Sequence, residues 1–284
     1  MIDLAATLAH RPVVLDGGLG TLLEARGNDV ASDLWSARVL RDDPDEVRAA
    51  HAVFADAGAE VVITASYQLG FGGQIPDAEL EALLRRSVSL AREAADVVVA
   101  ASVGPIGALR ADGSEYTGDY GLGVDQLRRL HRRRLHVLAD AGADLLAVET
   151  IPSPLEVEAL ALELADIGVP AFVSVSADST GFVAPGSRAD ALRAAASVPA
   201  VLAVGVNCCA PETVSAALAE APGVPLVAYP NTGERWDAAT RTWHGAPAPL
   251  AAAVPQWVDA GVRLVGGCCR STPADIAAIA AALR

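Results

Sequence analysis

Short runs of β-branched and aliphatic residues alternate along the chain with Ala- and Leu-rich stretches whose apolar positions repeat at helical spacing. The strand-like runs cover residues 13–16, 60–64, 97–102, 144–149, 171–175, 200–207, 225–228 and 262–266, which predicts eight strands. Between them lie 44–57, 77–94, 123–141, 154–167, 188–196, 213–220 and 248–260, each long enough for a crossover helix. The motif DDPDEV puts Pro44 in a first helical turn among acids, and STPADI repeats the device at 271–276. Ala-Gly-Ala or Ala-Gly-Val precedes strands at 57–59, 141–143 and 260–262, where glycine suits a helix C-cap feeding the next strand.

Repeated βα units in 284 residues predict an α/β fold: a single (β/α)8 TIM-like barrel over residues 1–284, with its site at the C-terminal ends of the strands. An open doubly wound sheet is the alternative, because periodicity does not report closure. No linker, charge block or low-complexity tract splits the chain, and 104–123, its longest turn-rich stretch, reads as a barrel-top loop.

Composition narrows the chemistry. Hydrophobic residues are 52% but aromatics only 4%, so the interior is aliphatic. A formal charge of −14 repels phosphate backbones and anionic lipid, which makes nucleic acid and membrane poor partners. All 21 basic residues are Arg; without lysine, Schiff-base, pyridoxal phosphate and Walker-type chemistry drop out. The start MIDLAATLAHRP has no basic leader and no run of about 18 apolar residues occurs, so the reading is cytoplasmic, with reduced thiols and no membrane span. Nothing in the sequence predicts a homo-oligomer.

The residues just after the strand runs are polar, and in a barrel they share one face. They include Asp16-Gly17-Gly18, Thr64 to Gln68, Glu149-Thr150, Asn207-Cys208-Cys209, Tyr229-Pro230-Asn231 and Gly266-Gly267-Cys268-Cys269. Both cysteine pairs therefore land together, and thiols gathered in a reducing compartment suit a soft or borderline metal, zinc by default. Adjacent strand residues face opposite ways, so Cys208 and Cys209 are not expected to reach one ion together. Gly266-Gly267 lets both Cys268 and Cys269 turn inward. Three thiolates leave one tetrahedral position open, as in a catalytic site. The bland alternatives are cysteines as small core residues or a redox pair.

Other features carry less. Asp16 can serve as a cap before the helical stretch that follows it, and Glu149 as partner of a loop arginine. The glycines after Asp16 lack the dinucleotide fingerprint. Arg128, Arg129 and Arg132, Arg133 and Arg134 read as an exposed helix face. His10, His51, His131, His136 and His244 show no metal-ligand spacing, and His131 and His136 read as surface helix residues.

The segments VVLDGGLGTLLEARG (13–27), HAVFADAGAEVVITASYQ, AGADLLAVETIPS, GVNCCAPE, YPNTGERWD and GVRLVGGCCRSTPADIAAI (261–279) stand in one order over nearly the whole chain. In this the sequence resembles the zinc-dependent homocysteine S-methyltransferases; its G-x-N-C and G-G-C-C motifs are specific together and weak apart. The resemblance implies that Cys208, Cys268 and Cys269 hold zinc, that Cys209 is a bystander, and that the open position accepts the homocysteine thiolate. It implies that Asp16 and Glu149 hold the ammonium group and that amides near Gly17 and Gly18 meet the carboxylate. Thr64, Ser66 and Asn207 complete the substrate set; before substrate binds, Asn207 or a water can fill the open position.

The chemistry is self-consistent. A free thiol titrates near pH 8.5 and only the thiolate attacks carbon well, so zinc serves to remove that proton. Attack on the methyl of a sulfonium expels a neutral thioether, so no protein acid or base is required. Trp35, Tyr67, Tyr120 and Trp236 are candidates to meet the sulfonium with their ring faces, packing beneath barrel loops being the alternative. The expected reaction is methyl transfer from S-methylmethionine, or S-adenosylmethionine, to L-homocysteine, forming methionine. The chain ends soon after its last helix, without the cobalamin, folate or betaine-type additions of longer relatives, which favours a sulfonium donor. The alternatives are a betaine- or carrier-protein-dependent homocysteine or selenol methyltransferase and, from other classes, a zinc hydrolase or a non-catalytic zinc-binding barrel.

Overall fold

The computed structural model describes residues 2–30, 36–73, 75–110, 114–176, 186–219, 221–237 and 242–284. Its strands are β1 (Val13–Val14), β2 (Val61–Ile63), β3 (Val98–Val103), β4 (Leu145–Ile151), β5 (Ala171–Val175), β6 (Val201–Asn207), β7 (Leu226–Tyr229), β8 (Arg235–Asp237), β9 (Thr242–His244) and β10 (Val262–Val265). Its α-helices are α1 (Leu4–Leu8), α2 (Leu19–Ala25), α3 (Ser36–Asp42), α4 (Pro44–Asp56), α5 (Asp77–Ala94), α6 (Ile106–Arg110), α7 (Ser114–Thr117), α8 (Val124–Asp140), α9 (Pro154–Ile167), α10 (Arg188–Ala196), α11 (Val214–Leu218), α12 (Val254–Asp259) and α13 (Pro273–Ala282).

Eight strands form one parallel sheet in the order β1-β10-β7-β6-β5-β4-β3-β2. A parallel bridge between Leu15 and Val61 joins its two ends, so the sheet curls into a (β/α)8 barrel and the doubly wound alternative falls. The unforeseen β8 and β9 make a small antiparallel hairpin beyond β7.

Strand alternation sorts the core into two compartments. One side of each strand packs under the helices. The other fills the barrel: Val13, Leu15, Val61, Val98, Ala100, Leu145, Ala147, Phe172, Ala203, Val227, Tyr229 and Leu264 cluster there with Leu4 and Leu8 of α1. Continuing the same period of two past these apolar positions reaches Ser102, Glu149, Ser174 and Asn207. The top of the barrel interior is therefore polar.

α8 and α9 hold a buried charged cluster. His131 Nε2 lies 2.8 Å from Glu156 Oε1, and Arg134 contacts His131 Nδ1 at 2.6 Å. Arg134 also donates to the carbonyls of Leu69 and Gly104, while Glu156 accepts from Ile106 N–H. His131 and Arg134 are thus interior residues, against the surface reading: a run of charged residues hides the one helix stripe that faces the loops after β2 and β3. His136 is exposed as expected. The turn-rich 104–123 stretch contains α6 and α7.

Candidate active site

The three sulfurs of Cys208, Cys268 and Cys269 lie within 4.8 Å of one another, with Cys208 Sγ and Cys269 Sγ 3.8 Å apart. Sulfurs of a tetrahedral site with bonds near 2.3 Å sit about 3.8 Å apart, the spacing the Cys208–Cys269 pair has, and a small side-chain shift suffices to complete such a shell. Cys209 faces the other way and is buried in the outer core, as alternation at the end of β6 requires. Hydrogen bonding with Cys208 and Cys268 holds the Cys269 thiol well below the ordinary range, while crowding by neighbouring thiols and burial push those of Cys208 and Cys268 well above it.

The backbone sets this convergence. Cys208 has φ 50°, a left-handed conformation that swings its sulfur inward at the strand end. Its N–H donates to Tyr229 O (3.2 Å), and Cys268 N–H donates to Pro230 O (2.8 Å). The turn is closed by Ser271, whose N–H and hydroxyl both bond Cys268 O. Arg270, also left-handed at φ 69°, is tied to the buried carboxylate of Glu234 at 3.1 Å and by its N–H to Thr21 Oγ1. Gly18 is required beside this turn, since a Cβ there would lie 2.6 Å from Cys268 O.

Two carboxylates face the same mouth. Asp16 is buried, and its Oδ2 accepts from Ile63 N–H at 2.8 Å rather than capping α2, whose N-cap is Gly18. Glu149, 7% exposed, accepts from Ser102 Oγ at Oε1 and from Tyr229 OH at Oε2 (3.0 Å). Neither has an ion-pair partner among the described residues, and no described arginine pairs with Glu149. Burial pushes Glu149 up to about 7 and, aided by the charge of Glu149, raises Asp16 well above the usual carboxylate range. Two buried acids with no described cation beside them are costly, and a cationic group placed between them would relieve both.

The remaining expected contacts divide. Thr64 Oγ1 and Ser66 Oγ are 2.7 Å apart and bond Ser102 through its N–H and carbonyl, so they brace β2 against β3. Gly18 N–H is taken up by Ser271, and Gly17 packs where a Cβ would meet the Phe54 ring. Asn207 does not turn to the sulfurs. Its Oδ1 accepts from Thr150 N–H (2.8 Å) and Ser174 Oγ (2.9 Å), and its Nδ2 donates to Thr150 Oγ1 (2.8 Å). That clamp holds Thr150 at φ 59°, an unfavourable conformation for a β-branched residue, directly after Glu149.

Of the aromatic candidates, Tyr67 is half-buried and lies against Gly104, where a Cβ would sit 2.7 Å from its ring. Tyr120 is packed with Ile106, Leu127 and Ala159, with the Arg110 guanidinium 5.4 Å over its ring. Trp35 and the side chain of Trp236 lie outside the described residues. Ser102, Ser174 and Tyr229 were missed as site residues. The signal was present: each continues the inward period of its strand one step beyond the apolar positions.

A parallel barrel carrying converging thiols and two buried carboxylates at its C-terminal mouth could hold a metal ion beside groups able to meet a cation. The chain belongs to the homocysteine S-methyltransferase family, whose profile matches residues 13–283. It is 45% identical to a homocysteine S-methyltransferase of Escherichia coli (strain K12), over 95% of this chain and 94% of that protein. It is 39% identical to a selenocysteine methyltransferase of Astragalus bisulcatus, over 95% and 92%. The crystal structure of the metallated form of the homocysteine methyltransferase MmuM from Escherichia coli superposes with a TM-score of 0.86 at 42% identity, covering 97% of this chain and 98% of that one.

Proposed function

We propose that this enzyme transfers a methyl group from a sulfonium donor, S-methylmethionine or S-adenosylmethionine, to the sulfur of L-homocysteine, forming methionine, with zinc held by Cys208, Cys268 and Cys269. The observation that carries the reading is the pairing of a three-thiol cluster with two buried carboxylates at one barrel mouth that have no ion-pair partner among the described residues. Zinc bound by three thiolates supplies Lewis acidity that makes a fourth sulfur ionise at neutral pH. The protein's own part is positional. Asp16 and Glu149 hold the ammonium, and main chain around Gly17 receives the carboxylate. The homocysteine sulfur lone pair forms the new S–C bond while the C–S bond of the sulfonium breaks and its electron pair returns to the donor sulfur. The thiol proton leaves to solvent, and the departing thioether is neutral, so no side chain has to protonate it. Alignment and exclusion of water are what remain for the enzyme to provide.

Tyr67 is the described aromatic retained for the donor subsite. The acidic surface opposes nucleic acid, and no described helix is long and apolar enough to cross a membrane. The test is a donor panel with homocysteine: S-methylmethionine, S-adenosylmethionine, betaine and methyltetrahydrofolate. Methionine formed from a sulfonium compound alone supports the reading; turnover with betaine or methyltetrahydrofolate instead rejects the donor class. The selenocysteine-named relative makes a selenol the second acceptor to include.

A further inference from the structure

Tyr229 belongs to no expected contact set, yet it touches both ends of the site. Its ring fills the inward position two residues above Val227 and is braced edge-on by Phe172, with centroids 5.9 Å apart and planes at 82°. This leaves the hydroxyl little freedom. It lies 3.0 Å from Glu149 Oε2 and 2.7 Å from Ser174 Oγ. Ser174 passes the contact to Asn207, which precedes Cys208 in the chain and clamps Thr150, which follows Glu149. The main chain of Tyr229 does the matching work at the sulfur end: its carbonyl receives Cys208 N–H, and the next carbonyl, of Pro230, receives Cys268 N–H.

The geometry points to Tyr229 as a specificity-determining, positioning residue: one rigid side chain and its own carbonyl fix the distance between the ammonium-holding carboxylate and the sulfur cluster. That span is what separates a thiol amino acid with two methylenes from one with a single methylene. Tyr229 acts on the substrate only through Glu149 and the cysteine turn; it contributes no proton to the transfer. The inference rests on the homocysteine reading above and deepens it by naming what measures the substrate.

The test compares three thiols in the zinc-loaded enzyme: homocysteine, cysteine, and 4-mercaptobutanoate, which is homocysteine without its amino group. In Tyr229→Phe the ring and the main-chain bonds stay, while Glu149 loses one donor. Homocysteine KM is expected to rise about tenfold, the loss of one hydrogen bond to a charged group. The preference for homocysteine over cysteine falls by a similar factor. Donor KM, zinc stoichiometry and kcat/KM for 4-mercaptobutanoate stay within about twofold. General damage to the site would lower all three thiols together and overturn the inference. Ser174→Ala, which removes the other contact of the hydroxyl, is expected to move homocysteine KM the same way by a smaller factor, and it decides the matter if Tyr229→Phe does not fold. Wild-type enzyme inactive on homocysteine overturns the functional reading and the inference with it. Active wild type with unchanged thiol discrimination in both variants overturns the inference alone.

Discussion

The three cysteines that converge are distinguished from the fourth by direction. Cys208 and Cys209 are neighbours, but one turns into the mouth on a left-handed backbone and the other is buried in the outer core. Cys268→Ser is therefore expected to lose bound metal and methyl transfer together, as read by metal analysis and assay; full activity with tight metal would reject the ligand assignment. Cys209→Ser should keep both and cost about 1 kcal/mol of stability by placing a hydroxyl in an apolar shell. His51 is a different residue-scale case. It is wholly buried on α4, neither ring nitrogen has a hydrogen-bond partner among the described residues, and burial pushes it down from 6.5 to about 4. Because the folded state binds the proton less readily than the unfolded chain, its contribution is intact above pH 6.5 and is lost as pH falls from 6.5 toward 4. His51→Leu should thus remove about 2 kcal/mol of the stability drop between neutral pH and pH 5, measured by urea melts at both. Equal drops in wild type and variant would show that His51 takes up its proton in the fold as readily as in the unfolded chain. Sequence reading found the cysteines and carboxylates because they follow strand runs. It missed Ser174, which sits inside an apolar run where only strand phase reveals that it points into the barrel.

At the scale of elements, the long helices were legible nearly to the residue. α5, α9 and α10 occupy the expected spans because each begins at a start signal, Pro76, Pro154 or Ser187, and α5 adds a clear apolar period. What the pattern concealed was polarity with a purpose. In α8 the basic run reads as a solvated face, but Arg134 and His131 lie on the inward stripe and reach loop carbonyls that other elements supply. Such contacts depend on where the loops pass, which periodicity does not encode. Arg134 is held to about 10 by burial, so it remains a cation beside Glu156. Replacing it with Met should destabilise the protein by roughly 3 to 5 kcal/mol, since Glu156 is left as a buried anion without its compensating charge. A denaturant titration checks this, and a loss under 1 kcal/mol would mean that His131 alone neutralises Glu156.

For the whole molecule, the thiol cluster sits at the edge of the aliphatic core, with Cys268 alone of the three packed against the barrel filling. The barrel is filled by apolar side chains from every strand and plugged by α1, while the cysteines lie beyond the strand ends. Stripping the metal with a strong chelator should therefore abolish methyl transfer yet leave a folded barrel, with unchanged far-ultraviolet circular dichroism and activity restored by added zinc. Chelation that unfolds the chain would make the site a structural one. Eightfold βα alternation made the barrel legible from sequence, but its closure was not, because closure rests on a contact between the first strand and the second.

That contact is slight. β1 has two residues, and one bridge, Leu15 to Val61, links it to β2. Just above the bridge the ladder is continued by a side chain: the Asp16 carboxylate receives Ile63 N–H where another strand's carbonyl would sit. The group expected to hold the substrate is thus also a stitch in the wall, so occupancy and wall integrity draw on the same pair of oxygens. Backbone amide exchange at Ile63 becomes a gauge of the ligand's grip, slowing when an ammonium orders the carboxylate and quickening in Asp16→Ala even with no substrate present.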